Sequence, residues 1–167
     1  MTGAGAPDTT PLDATGLSVT IVAGSWHETI AEGLLAGAKR YLEHANADVN
    51  VVRVSGSFEL PVVSKAAFNA GADAVVALGV IIRGGTPHFE YVADATTSGL
   101  TQVSVHCGKP IGFGVLTVDT EQQGLDRAGL PESSEDKGAE AAEAAVSTAL
   151  VIRSLAKLEF AKLEAAL

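Results

Sequence analysis

Apolar, β-branched runs recur near residues 17–24, 49–54, 74–82 and 111–118, and the intervening stretches are long enough for helices near 28–44, 60–70, 89–105 and 120–128. Ile30, Leu34, Ala38 and Leu42 return every fourth residue, which puts them on one helical face. Strands separated by helix-length segments join most simply through right-handed crossovers. The pattern therefore predicts an α/β fold, a three-layer α/β/α sandwich with a central parallel sheet. A last helix is predicted from about 137 to 165, with Asp136 or the serines before it as its cap. Its apolar positions (Ala145, Val146, Ala149, Leu150, Val151, Ile152, Leu155, Leu158) cover more than one face, which favours burial against a second subunit, although alanine also fills helix surfaces at little cost. Residues 1–16 carry no periodicity and read as a flexible arm, leaving 17–167 as one domain.

Charge and composition narrow the partners. Eleven basic against twenty acidic residues give a net charge of −9, with no basic stripe interleaved with aromatics, so nucleic acid is not an expected partner. An anionic small molecule remains compatible, because a few placed cations and amides make a local field of their own. No run reaches the roughly 18 apolar residues of a membrane helix, and the N-terminus lacks the basic-then-apolar order of a secretion signal. A cytoplasmic protein without a membrane partner is expected. Cys107 is the only cysteine and has no ligand spacing around it, which suits a reducing compartment and a small core or helix-end role; no metal site is expected.

Chemistry gathers after the strands. In Gly79-Val-Ile-Ile-Arg-Gly-Gly-Thr-Pro-His-Phe-Glu-Tyr91 an apolar strand breaks at glycines and then offers Arg83, Thr86 and His88 within six positions. A parallel strand would deliver that turn to its carboxyl end, where open α/β sheets bind ligands. Gly84-Gly85 also suits an ordinary strand-to-helix turn, and His88 a cap or core position. Trp26 follows the first strand, where its ring could stack on a planar heterocycle or plug the first helix. After the second strand come Gly56, Ser57, Phe58 and Glu59, with Pro61 suited to a first helical turn. Free amides there can meet a ligand and Glu59 can accept from hydroxyls, or Glu59 simply complements the helix dipole. Phe113 lies toward the start of the fourth strand, hence at the opposite edge, and Arg127 closes a short helix where a cation needs no ligand. If either serves the same site, it reaches that site from another subunit.

Taken together, Trp26-His27, Gly56-Ser-Phe-Glu-Leu-Pro61, Gly79 through Val92, Phe113-Gly-Val-Leu-Thr117, Asp126-Arg-Ala-Gly129 and Asp136-Lys-Gly138 resemble the 6,7-dimethyl-8-ribityllumazine synthase family, in its order, from about residue 17 to the C-terminus. The resemblance implies a flavodoxin-like fold and a transferase of riboflavin biosynthesis. Such an enzyme joins 5-amino-6-(D-ribitylamino)uracil to 3,4-dihydroxy-2-butanone 4-phosphate, with loss of phosphate and two waters, and no cofactor is implied. It further implies that Trp26 stacks on the pyrimidinedione, with backbone groups around Val80, Ile81 and Ile82 at that ring's edges. Ser57, Phe58 and Glu59 match the ribityl-binding stretch, and Gly85 and Thr86 the phosphate-binding turn. Arg127 matches a phosphate-binding arginine of the adjoining subunit, Phe113 and Lys137 match further residues donated across that interface, and His88 is the proton-transfer residue.

Three positions depart from commoner patterns: His27 stands where many members carry asparagine, Gly124 where alanine is frequent, and Asp136 where asparagine is frequent. A flavin- or lumazine-binding module without turnover, a shell-forming protein and a riboflavin synthase of related fold are the competing readings. The seven-residue link Leu130-Pro-Glu-Ser-Ser-Glu-Asp136 resembles the longer, proline-containing form of non-capsid members. It implies a homopentamer, or a decamer of two, rather than a 60-subunit shell, with the N-terminal arm adding a strand to a neighbour's sheet.

Overall fold

The computed structural model describes residues 12–164. Four strands, β1 (Ser18–Gly24), β2 (Asp48–Val54), β3 (Ala74–Ile82) and β4 (Ile111–Val118), form one parallel sheet in the order β2-β1-β3-β4. The crossovers are α1 (Glu28–His44), α2 (Leu60–Asn69) and α3 (His88–Cys107), and the chain ends with α4 (Glu121–Leu125) and α5 (Lys137–Glu164). One 3₁₀ turn, Ser57–Glu59, leads into α2, with Pro61 in the first turn of that helix. The three-layer parallel architecture read from the sequence is the one observed.

Period-two alternation along the central strands sorts side chains between two cores. Val76, Leu78 and Val80 of β3 join Ile21, Leu116 and Val118 under α1 and α5, while Val75, Ala77 and Ile81 join Val22 and Val115 under α2 and α3. Because both faces of β3 are covered, its sequence is apolar throughout instead of alternating. The stripe Ile30, Leu34, Ala38 and Leu42 is at most 1% exposed, and burying each leucine or isoleucine contributes about 1.5–3 kcal/mol. By contrast, β2 is an edge strand, with Asp48, Asn50, Val51 and Arg53 exposed.

Of the two candidates for capping α5, Asp136 is the one used: its Oδ1 accepts from Ala139 N at 2.9 Å, and its Oδ2 pairs with Arg40 of α1 at 2.5 Å. Ser133 and Ser134 serve the preceding loop, where Ser133 Oγ accepts from Leu130 N at 3.0 Å and Ser134 Oγ donates to Asp126 O at 3.1 Å. The apolar surface of α5 divides. Ala141, Ala142, Ala145, Val146 and Ala149 are buried in the domain, whereas Val151, Ile152, Leu155 and Leu158 are exposed. The helix expected over 120–128 is shorter, because the chain turns back after Leu125 and gives its carbonyls away: Asp126 O accepts from Glu135 N and Arg127 O from Lys137 N, both at 3.0 Å.

Cys107 is partly buried and ends α3. Most of the expected arm, residues 1–11, lies outside the described residues. Its last part is packed, since Ala14 is fully buried and donates its N–H to Ala45 O at 2.7 Å.

Candidate active site

The sheet order changes direction between β1 and β3, and beyond the carboxyl ends of these strands and β2 opens a cavity of about 400 Å³. Its walls come from three connections. After β1 stand Trp26 and His27, after β2 Ser55 to Glu59, and from β3 into α3 come Val80, Ile81, Ile82, Gly84, Thr86, His88, Phe89 and Val92. Among the described residues no lysine or arginine lines it.

Each wall follows from its local structure. Ser25 Oγ donates to Val54 O at 2.8 Å and Arg53 Nη1 to Gly24 O at 3.2 Å, locking the ends of β1 and β2 side by side. His27 then begins α1 from the left-handed region, φ 57° and ψ 62°, which asparagine and histidine tolerate better than most side chains. That conformation accounts for His27 at a position where asparagine is common in the family it resembles. Trp26 is 68% exposed, so a ring face is open to a planar partner.

At the second wall Glu59 folds back, its Oε2 accepting from Gly56 N at 2.9 Å while the carboxylate stays exposed. One oxygen is thus held and the other is left for hydroxyls. Ser57 borders the cavity but its hydroxyl is buried, tucked where a Cβ on Gly79 would come within 2.5 Å of Oγ, so only glycine fits opposite it. Phe58 is 62% exposed beside it. The buried Thr96 of α3 ties this wall down by donating Oγ1 to Ser57 O at 3.2 Å.

The third wall supplies backbone. Pairing of β3 with β1 ends at Leu78, whereas pairing with β4 continues to Ile82, so the β1-facing edge of Val80 to Ile82 has no strand beside it. Beyond it, the amides of Gly84, Gly85 and Thr86 donate to no acceptor among the described residues. Gly84 and Thr86 line the cavity, with Gly85 between them. His88 opens α3, is exposed, and its imidazole makes no hydrogen bond to another described residue. Arg83 does not hold an anion in this turn as its position in the sequence invites. Its Nε donates to Asp119 Oδ1 at 2.7 Å, its Nη1 to Glu90 Oε1, and its guanidinium lies 4.1 Å from the Phe89 ring centre.

A sequence model of the family described as DMRL_synthase, 6,7-dimethyl-8-ribityllumazine synthase, matches residues 16–153. The chain belongs to that family. Among curated 6,7-dimethyl-8-ribityllumazine synthases, that of Clavibacter sepedonicus is 70% identical over 157 residues, covering 93% of this chain and 98% of the relative. The synthase of Leifsonia xyli is 69% identical over 93% of this chain and 99% of its own, and that of Streptomyces coelicolor 54% over 94% and 98%.

Of the residues singled out as synthase positions, Trp26, Ser57, Phe58, Glu59, Val80, Ile81, Ile82, Thr86 and His88 converge on the cavity, with Gly85 adjacent. Phe113, Arg127 and Lys137 do not line it. Phe113 sits in register with Ala77 on the far half of β4, 46% exposed. Arg127 Nη1 donates to Gln123 O at 2.9 Å and lies 3.9 Å from Glu135, and Lys137 Nζ reaches Glu135 at 2.5 Å and Glu140 at 2.7 Å. Hydrogen bonding from Lys137 outweighs burial and holds the Glu135 carboxyl below its ordinary range. Burial works against the Lys137 ammonium, but its bonds to Glu135 and Glu140 prevail and raise it. The sequence reading passed over Phe89 and Val92 as cavity residues; the signal was available, since Val92 is one helical turn from His88. Among the described residues no group of acidic, histidine or cysteine side chains is arranged to hold a metal ion, and no helix is long and apolar enough to cross a membrane.

Proposed function

We propose that the chain condenses 5-amino-6-(D-ribitylamino)uracil with 3,4-dihydroxy-2-butanone 4-phosphate to give 6,7-dimethyl-8-ribityllumazine, releasing phosphate and two waters. The observation that carries this reading is the fit of three different walls to three parts of the reactants. Trp26 offers a face and the unpaired edge of Val80 to Ile82 a row of backbone donors and acceptors, as a pyrimidinedione requires. The 56–59 turn, with one free Glu59 oxygen, suits a chain of hydroxyls, which meets Ser57 through its main chain because the serine hydroxyl is buried. The open amides of Gly84, Gly85 and Thr86 suit a phosphate.

The amine attacks the ketone carbonyl and water leaves. Phosphate is then eliminated, and a second condensation closes the ring with loss of the other water. Protons must move at each stage, and His88 at the head of α3 is the group positioned to take and return them. Much of the remaining acceleration comes from holding two flexible reactants in reacting geometry.

Phosphate departure calls for a cation, and among the described residues the cavity wall holds none. We assign that role to Arg127 from a neighbouring subunit of a homopentamer, which also donates Phe113 and Lys137 across the interface. The exposed β2 edge and the exposed apolar stretch of α5 are compatible with such an assembly, and the 130–136 loop with a pentamer or decamer. A cytoplasmic location fits the lone Cys107.

Incubating the purified protein with both substrates, and separately with lumazine alone, tests the reaction. Lumazine fluorescence and phosphate release in the first mixture only is the expected result. Turnover of lumazine alone, or no product in either mixture, overturns the reading. Light scattering on the intact chain tests the assembly, and a particle of about sixty chains contradicts the loop argument.

A further inference from the structure

The turn that offers amides and His88 to the cavity is open along its length. Gly84, Gly85, Thr86, Pro87 and His88 are all exposed, nothing stands within 4 Å of where a Cβ on Gly84 or Gly85 would lie, and α3 starts without a side-chain cap. What holds it is at its two ends. At the near end Arg83 N donates to Val118 O at 2.9 Å, continuing the β3–β4 ladder by one rung. The Arg83 side chain then reaches over the turn to its far end, touching Glu90 and Phe89 in the first turn of α3, while Nε holds Asp119 just after β4. Asp119 is itself fixed to α4, its N–H donating to Gln123 Oε1 at 2.8 Å.

We propose that Arg83 is a positioning residue: a side-chain brace that fixes the His88 end of α3 for proton transfer without touching substrate. The proposal rests on the synthase reading of this cavity. A single exposed ion pair does little, but one guanidinium shared by two carboxylates and an aromatic face fixes three groups at once, a geometry lysine cannot reproduce. The consequence for chemistry comes from distance. A displacement of about 1 Å at a catalytic group, caused by a change elsewhere, can cost on the order of 100-fold in rate.

The test compares Arg83→Met, which keeps the stem but loses charge and donors, with Arg83→Lys, each alone and combined with His88→Ala. Binding of the ribitylaminouracil is read from the fluorescence of Trp26, the chain's only tryptophan. Arg83→Met is expected to lower kcat by about tenfold while leaving pyrimidine affinity within about twofold, and to cost less than about twofold in kcat on the His88→Ala background, because residues that act through one another are not additive. Arg83→Lys is expected to recover less than half of the loss. Equal losses on both backgrounds overturn the brace. So does a rise in KM for the phosphorylated ketone at unchanged kcat, which would make Arg83 an anion contact.

Hydrogen exchange of the Tyr91 to Ala95 amides, about threefold or more faster in Arg83→Met, reads the brace independently of turnover. Unchanged protection there overturns it. A wild-type protein that forms no lumazine overturns the synthase reading and leaves this exchange measurement to decide the brace.

Discussion

The β3–α3 turn and the turn between α4 and α5 handle charge in opposite ways. In the first, Gly84 to His88 are exposed, their polar groups face a cavity, and the neighbouring cation Arg83 is taken up by Asp119 and Glu90. In the second, Arg127 and Lys137 lie among Glu135, Glu140 and backbone carbonyls, away from that cavity. One region therefore presents open amide donors to the cavity, and the other holds its cations away from that cavity. In the proposed site, assembled from two chains, a phosphate arriving at Arg127 competes with the Gln123 carbonyl at 2.9 Å and with a carboxylate 3.9 Å away.

The strongest way to break the comparison is at the cavity side. His88→Ala is expected to lower turnover by about 10²–10⁴-fold, with ribitylaminouracil binding retained, since its role is proton transfer. That role is the proposed one; stopped-flow lumazine formation across neutral pH checks it, and unchanged turnover removes His88 from the mechanism. Next, Arg127→Ala is expected to reduce kcat/KM for the phosphorylated ketone by about 30- to 1000-fold, the loss of one charged hydrogen-bonding partner. Dissociating and mixing the two inactive variants should restore activity in hybrid rings. Proven subunit exchange without recovery would mean that each site is built from one chain.

The two turns should also part company with pH. Because the Glu135 carboxyl is lowered in the folded chain, its contribution to stability is present above its unfolded value near 4.5 and is lost as pH falls through the lower folded value. Glu135→Gln should therefore flatten the acid side of the stability curve between about pH 5 and pH 3; a thermal-melt series measures it. The smallest effect is expected from Gly124→Ala in α4, where a Cβ would lie 2.7 Å from Ile30 Cδ1. A flexible methyl can move, so the cost should stay under about 1 kcal/mol, and Ile30→Val alongside should recover part of it.

The contrast also explains what the sequence made legible. All four strands and the parallel sheet followed from the apolar runs and their helix-length spacing, most plainly for β3, which is covered on both faces and apolar throughout. Trp26, Glu59 and His88 were readable because a parallel sheet sends every strand-end loop to one edge. The partners of Arg83 were not readable: Asp119 lies 36 residues further on, a pairing created only when β3 and β4 align. The short α4 was likewise hidden, since it ends where Asp126 O and Arg127 O turn to amides of the 135–137 segment.

One face of the sheet is closed by the first helix and the last. Until α5 is in place beside α1, Leu78, Val80, Leu116 and Val118 lack part of their cover, and Asp136 has no helix to cap. The chain thus postpones its largest apolar closure to its final segment, and the contacts that complete it span most of the sequence. Such long-range closure slows folding and leaves an exposed apolar surface during synthesis. A nascent chain stopped before Lys137 is accordingly the species most exposed to aggregation and most in need of a chaperone.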